Sequence, residues 1–383
     1  MRILHVINGL NVGGAEVMLA ELLEQFKVQD DIDCAVVSLK DIGEIGERLQ
    51  ENGIEVQALD MISGVPDIRG YFKLRRIASN FKPDLIQTWL QHADLLGGLV
   101  GKSLGVPVVW GIHFSLASLG NTKWLHRVIA HLCMLWAEDL SAAVISCAYS
   151  SSADHIKAGY PKALIQTIPN GVSTQRFRPN NGARVALRQA LDISDSCTVI
   201  GMVARYHPLK NHRLFLKAAA RLREALPEVR FILCGSGVDQ ENRELVGLIE
   251  RWGLADHIEL LGVEWQMPQV YAGLDILTLC SDSEAMPIVL AEAMSCGVPC
   301  VATDVGDCKA LMGGLGAIVP SRPRALVEGW VSVLEELERG AERLREEVRE
   351  RICADFSIEQ SAERYLRVYR EVLSKSEPIV RTS

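Results

Sequence analysis

The chain has 383 residues, 48% apolar and 23% charged, with 31 Gly and 14 Pro spread along it, a balance that excludes disordered, collagen-like and coiled-coil classes. At about 100–200 residues per domain, this length predicts two cores rather than one. A net charge of −8 argues against a general nucleic-acid binder, so no nucleic-acid partner is expected.

The opening MRILHVINGL reads as a buried strand running into glycines and not as a signal peptide. Apolar runs stop short of the roughly 20 residues of a membrane-spanning helix. Runs at 2–7, 34–39, 54–59, 84–90, 107–112, 142–147 and 163–168 have the β-branched, continuous apolar character of buried strands. Helical spacing separates them at Ala15–Phe26, Ile68–Asn80, His92–Leu104 and Lys123–Asp139. This alternation predicts a doubly wound parallel sheet.

The polar, Pro-containing stretch Ser173–Asn181 reads as a linker. Strands then resume at 198–204, 229–235, 257–262, 275–280 and 299–303, with helices from about Asn211, around Glu241–Trp252 and from Pro287. The tail Ala325–Val372 reads as two helical segments parted near Asp355–Ser357, the last expected to lean back on the first domain. The expected division is 1–178, 179–356 and a returning helix at 357–383. Ten cysteines lie mostly in apolar stretches without a CxxC pair or zinc spacing, so they read as buried thiols of a reducing, cytoplasmic compartment.

In open parallel sheets ligands bind beyond the carboxyl ends of the strands. Two segments stand there. In ARYHPLKN (204–211), Arg205 closes a strand and Lys210 precedes a helix, a pairing suited to a diphosphate because guanidinium, ammonium and helix N–H groups all favour phosphate oxygens. The plain alternative is a solvated turn. In SDSEAMP (281–287), Glu284 lies in a strand-to-helix loop and Glu292 eight residues on in the helix, placed to accept hydrogen bonds from hydroxyls. Their alternative is a helix-dipole acid and a solvated face.

These residues resemble the retaining glycosyltransferases of family 4, the group 1 glycosyl transferases of GT-B fold. The resemblance spans essentially the whole chain. It rests on the Glu-x7-Glu stretch SDSEAMPIVLAEAMSCGVPCVATDVGD (281–307), on ARYHPLKN, on IPNGV (168–172) and on NGLNVGGAE (8–16). It implies two Rossmann-like domains with a cleft between them, the first for the acceptor and the second for a UDP-, GDP- or similar nucleotide sugar, with no other cofactor. By the same resemblance Arg205 and Lys210 hold the donor diphosphate, Glu284 meets the transferred sugar and Glu292 the ribose. Ala285, Met286, Pro287 and Ile288 line the sugar and phosphates. The chain departs from the family at Ala204 and Ala285, where Gly is common, at Ser173, where an acid follows NGV, and at Ala310, near which Glu is usual. These departures bear on donor identity.

In the first domain Gly9, Gly13 and Gly14 form a loop after strand one, where the lack of a Cβ and the availability of positive φ let the backbone approach a ligand closely. The resemblance sets this loop beside the acceptor and the donor phosphate. The spacing is not GxGxxG. His113 ends the strand PVVWGI and matches the family's sugar-contacting histidine, while His92 and His207 are lesser candidates. Asp31 and Asp33 precede a strand, on the wrong edge for a metal, and Asp282 with Glu284 already faces cations, so no metal is expected. Segments 70–82 and Lys123–Trp136 mix basic and aromatic residues, which suits half-buried helices or contact with the inner membrane face.

The expected activity is transfer of a sugar, with retention, to a glycan or lipid-linked acceptor in bacterial polysaccharide or glycoconjugate assembly. The alternatives are a nucleotide-sugar epimerase of similar fold and a non-catalytic nucleotide-sugar-binding protein.

Overall fold

The structure, a computed structural model, describes residues 1–61, 68–116, 124–264 and 266–376. Lys123, at the expected start of one helix, and residues 377–383 of the expected returning helix lie outside that set. The chain divides into two compact units, Met1–Gly171 with Ile358–Ser383, and Val172–Ser357.

In the first unit the elements run β1 (Arg2–Ile7), α1 (Gly14–Lys27), β2 (Asp33–Ser38), α2 (Gly43–Glu51), β3 (Glu55–Ala58), α3 (Ile68–Phe81), β4 (Leu85–Trp89), α4 (Gln91–Leu104), β5 (Val108–Ile112), α5 (Trp124–Leu140), β6 (Ala143–Ser146), α6 (Tyr149–Ala158) and β7 (Ile165–Thr167). The described strands make one seven-stranded sheet in the order β3-β2-β1-β4-β5-β6-β7, and every pairing is parallel. Ile3, Leu4, Val6 and Ile7 of β1 are fully buried, as a central strand covered on both faces requires.

The second unit runs α7 (Asn181–Ala190), β8 (Val199–Val203), α8 (His212–Ala225), β9 (Arg230–Cys234), α9 (Arg243–Arg251), β10 (Ile258–Leu260), α10 (Met267–Gly273), β11 (Ile276–Leu279), α11 (Ile288–Ser295), β12 (Cys300–Thr303), α12 (Cys308–Met312), β13 (Ala317–Val319) and α13 (Pro323–Asp355). Its strands order as β10-β9-β8-β11-β12-β13, again parallel. The core gathers Phe215, Phe231 and Trp330, whose rings meet at 5.5 to 6.1 Å. The last helix, α14 (Ile358–Ser376), returns to the first unit, where Tyr369 packs edge-on against Phe26 of α1.

Three elements escape simple periodicity. Helix α7 follows directly on the expected linker because its docking is ionic: Arg184 and Arg188 clamp Asp275 at 2.7 and 2.8 Å, and Arg188 is fully buried. Strand β13 has only three residues. Helix α13 is two helices joined at Gly340, whose backbone leaves the helical region (φ 174, ψ 70).

Candidate active site

The strand order of the second unit reverses between β8 and β11, and the loops after those two strands carry the residues singled out above. After β8 the chain makes a short 3-10 turn at Pro208–Lys210, capped by His207, whose Nδ1 accepts from Leu209 N at 3.2 Å. Asn211 then takes a left-handed conformation (φ 54), which its short polar side chain tolerates, and accepts from Leu214 N to start α8. The loop after β11 is sewn to this turn: Asp282 N donates to Leu209 O at 2.8 Å, and Asn211 Nδ2 donates to Asp282 Oδ1 at 3.0 Å.

Across this seam Lys210 Nζ donates to Glu284 Oε1 at 2.5 Å, with both side chains partly buried. Arg205 stands exposed on the same loop as Lys210 and has no carboxylate partner among the described residues. Two glycines shape the peptides beside these groups. A Cβ on Gly235 (φ +146) would strike the Ala204 carbonyl and Arg205 N, and one on Gly306 (φ +52) would strike the carbonyls of Glu284 and Ala285. The Ala285 carbonyl accepts from Asp307 N at 2.9 Å, so the DVGD turn props the glutamate loop from behind. That role had no local signal in the sequence.

Met286 and Pro287 are buried, Ala285 and Ile288 partly so, and Pro287 is the extended residue at which α11 begins. Glu292 is buried on that helix, where the hydroxyl of Tyr271 from α10 donates to its Oε2 at 2.5 Å. Nothing in the sequence around Tyr271 marks it as the partner of a carboxylate twenty-one positions later. The structure therefore joins Lys210 to Glu284 and sets Glu292 with Tyr271.

The remaining candidates belong to the first unit. His113 follows β5 and stacks on Trp89, ring centroids 4.6 Å apart, and neither ring nitrogen has a partner among the described residues. Burial pushes its pKa down to about 3, so the imidazole is neutral. Gly13 caps α1 in an extended conformation (φ −164), and none of Gly9, Gly13 and Gly14 has a positive φ. Positive φ is thus not what these glycines supply; at Gly13 the missing Cβ leaves room for the Glu16 carboxylate. Asp33 is engaged by Arg2 Nε at 3.0 Å at the starting edge of the sheet. Among the described residues no group of three or more His, Cys, Asp or Glu is placed to hold a metal, and no helix is long and apolar enough to cross a membrane.

Two family models match the chain. Glycosyltransferase Family 4 covers residues 12–176 and Glycosyl transferases group 1 covers residues 197–336. EpsF of Bacillus subtilis, a glycosyltransferase by name, is 26% identical over 386 residues and 96% of each chain. The Escherichia coli UDP-Gal:alpha-D-GlcNAc-diphosphoundecaprenol alpha-1,3-galactosyltransferase is 27% identical over 255 residues, 64% of each chain. Anabaena HepE, solved in complex with UDP and glucose, superposes with a TM-score of 0.85 at 22% identity over 97% of this chain and 100% of its own. With the two models together taking in most of both units, and with the GT-B fold matched end to end, the chain belongs to the group 1, family 4 glycosyltransferases.

Proposed function

We propose that the enzyme transfers a hexose with retention from a nucleoside diphosphate sugar to an acceptor hydroxyl, without a metal. The carrying observation is the Lys210–Glu284 pair at the switch point of the second unit, beside the exposed Arg205. On donor binding Lys210 and Arg205 face the diphosphate, whose negative charge grows as the bond from the anomeric carbon to its oxygen breaks. Fixed cations there do the work that a divalent ion does elsewhere. The acceptor oxygen bonds to the same face of the carbon, and its proton passes to the departing phosphate oxygen. Glu284, released from Lys210, accepts from sugar hydroxyls, and Glu292, held by Tyr271, accepts from the ribose. His113, neutral with two unpaired ring nitrogens, serves as a hydrogen-bonding group toward the sugar and not as an acid.

HepE and the E. coli relative carry UDP or a UDP-sugar in their names, which makes UDP-hexoses the first donors to test. A thermal-shift screen of nucleotide sugars identifies the donor, since ligand bound only to the folded state raises Tm. Transfer with an unchanged rate in EDTA supports the metal-free reading, and activity lost to EDTA and restored by Mg²⁺ overturns it. An epimerase of this fold would convert donor with no acceptor present. A binding-only protein would raise its Tm yet turn nothing over.

The setting proposed is glycoconjugate or polysaccharide assembly at a membrane face. Helices α3 and α5 both pack on α4. They expose Ile68, Phe72, Trp124, Val128, Leu135 and Trp136 together with Arg75, Arg76 and Arg127. Large apolar side chains among basic ones suit the boundary of an anionic bilayer.

A further inference from the structure

The strand order of the first unit also reverses, between β1 and β4. The crevice beyond the carboxyl ends of those strands is the other place where a parallel sheet of this type takes a ligand. From the loop after β1, Asn8 Oδ1 accepts from Ala93 N at 2.9 Å and Asn8 Nδ2 lies 3.5 Å from His92 Nδ1. Asn8 thereby ties the two switch-point loops and caps the first turn of α4, whose own N-cap, Leu90, has no polar side chain to do so. His92 meets His126 of α5 edge-on, with ring centroids 4.7 Å apart. Lys40, exposed just beyond β2, lies close enough to Gly9 that a Cβ there would be 3.6 Å from its Cδ.

Around this group Asp41 accepts from Asn11 Nδ2 at 3.4 Å, Glu16 lies against Gly13, and Asp94 is buried with Thr88 and Gly111, while Glu138 and Asp139 stand at the far end of α5 from His126. Burial first, then the charges of His126 and Lys40, push His92 down to about 4. A neutral imidazole is thus kept where two further groups of basic type converge on the first turn of a 14-residue helix. A phosphate oxygen would offset those neighbours and favour the protonated ring.

We propose that this crevice binds a phosphate group carried by the acceptor, through Lys40, His92 and His126. The proposal rests on the transferase reading only in calling the ligand an acceptor. The phosphate has two conceivable bearers, a soluble sugar phosphate and a polyprenyl phosphate.

The test follows the His92 ring proton signals by NMR across pH, with inorganic phosphate against chloride at equal ionic strength. The expected result is a rise of about one unit or more in the His92 pKa with phosphate, lost in Lys40→Gln and in His126→Gln, and kept in Arg205→Ala, which removes phosphate bound in the second unit. Repeating the titration with a hexose 1-phosphate and with a short-chain polyprenyl phosphate in micelles tells the bearers apart, a larger response to either supporting the site and naming its source. A His92 signal indifferent to all three probes, or a response that survives both variants, overturns the proposal. Because the readout is local to the first unit, it stands or falls separately from donor turnover.

Discussion

Lys210 and Glu284, 74 positions apart, are hydrogen-bonded to each other at 2.5 Å, Nζ to Oε1, so the proposed donor site already holds its acid and its cation against one another. Each orders the other, and on the proposed reading a diphosphate arriving at Lys210 frees the carboxylate for the sugar. Lys210→Ala and Glu284→Gln are each expected to lower kcat/KM by about 10²–10³-fold with the circular dichroism unchanged. The double variant should fall short of the product of the two losses, because the pair acts as a unit. Near-normal turnover in either single variant removes the assignment.

Gly306→Ala places a methyl against the carbonyls of Glu284 and Ala285 at a positive φ. The expected outcome is a loss of roughly 1–3 kcal/mol in stability together with a raised KM for donor. Gly314→Ala supplies the control: its φ of +89 is also strained, yet no atom lies within 4 Å of the added carbon. Stability should fall there with donor KM unmoved, as denaturant melts and initial rates would read.

Tyr271→Phe deletes the hydroxyl that donates to Glu292. A buried carboxylate losing such a bond costs about 1.5–3 kcal/mol. Calorimetry should show weaker binding of the free nucleoside diphosphate, while the sugar-dependent part of donor affinity stays the same. Unchanged nucleotide affinity would detach Glu292 from the ribose.

Asp94 is buried in the first unit, accepting from Thr88 Oγ1 at 2.6 Å and Gly111 N at 3.2 Å, and burial raises its pKa to about 8 despite both bonds. The unfolded chain ionises this carboxyl near 4 while the folded chain keeps it protonated to about 8, so stability falls as pH rises through that window. Asp94→Asn keeps an acceptor oxygen and removes the titration. Its Tm should exceed that of the wild type by a margin that grows from pH 5 to pH 8; a margin independent of pH contradicts the shift.

Replacing Phe72 and Trp124 by Glu takes two of the most exposed large apolar side chains from the α3 and α5 faces. Co-sedimentation with phosphatidylglycerol vesicles should drop sharply in that variant and should be weak with phosphatidylcholine for the wild type. Equal sedimentation with both lipids, or none with either, rules out the anionic surface as partner.

Much of the architecture was legible in the residues. Strands such as Arg2–Ile7 and Cys300–Thr303 announce themselves by β-branched, mostly apolar character, and the tail by its Glu- and Arg-rich helical spacing with a break near Asp355–Ser357, whereas the kink at Gly340 left no such mark. Arg205, Lys210 and Glu284 could be placed because a strand-to-helix loop in a parallel sheet has only one edge on which to lie. What stayed hidden was α7, a ten-residue helix beginning inside the expected linker, whose one buried side chain is an arginine clamped to Asp275. Of the two freedoms that glycine offers at Gly9, Gly13 and Gly14, none of the three uses a positive φ, and at Gly13 the missing Cβ is what the loop uses.

The sequence by itself determined which residues lie inside each sheet and which loops end at its ligand edge, since burial and alternation are properties of short stretches. Only the tertiary structure decided who meets whom: Lys210 with Glu284, Tyr271 with Glu292, Asn8 with Ala93 and Asp94 with Gly111. Those pairings follow from strand order and from the need of each buried polar group for a partner. The partner is set by distance across the fold, and separation along the chain does not encode it.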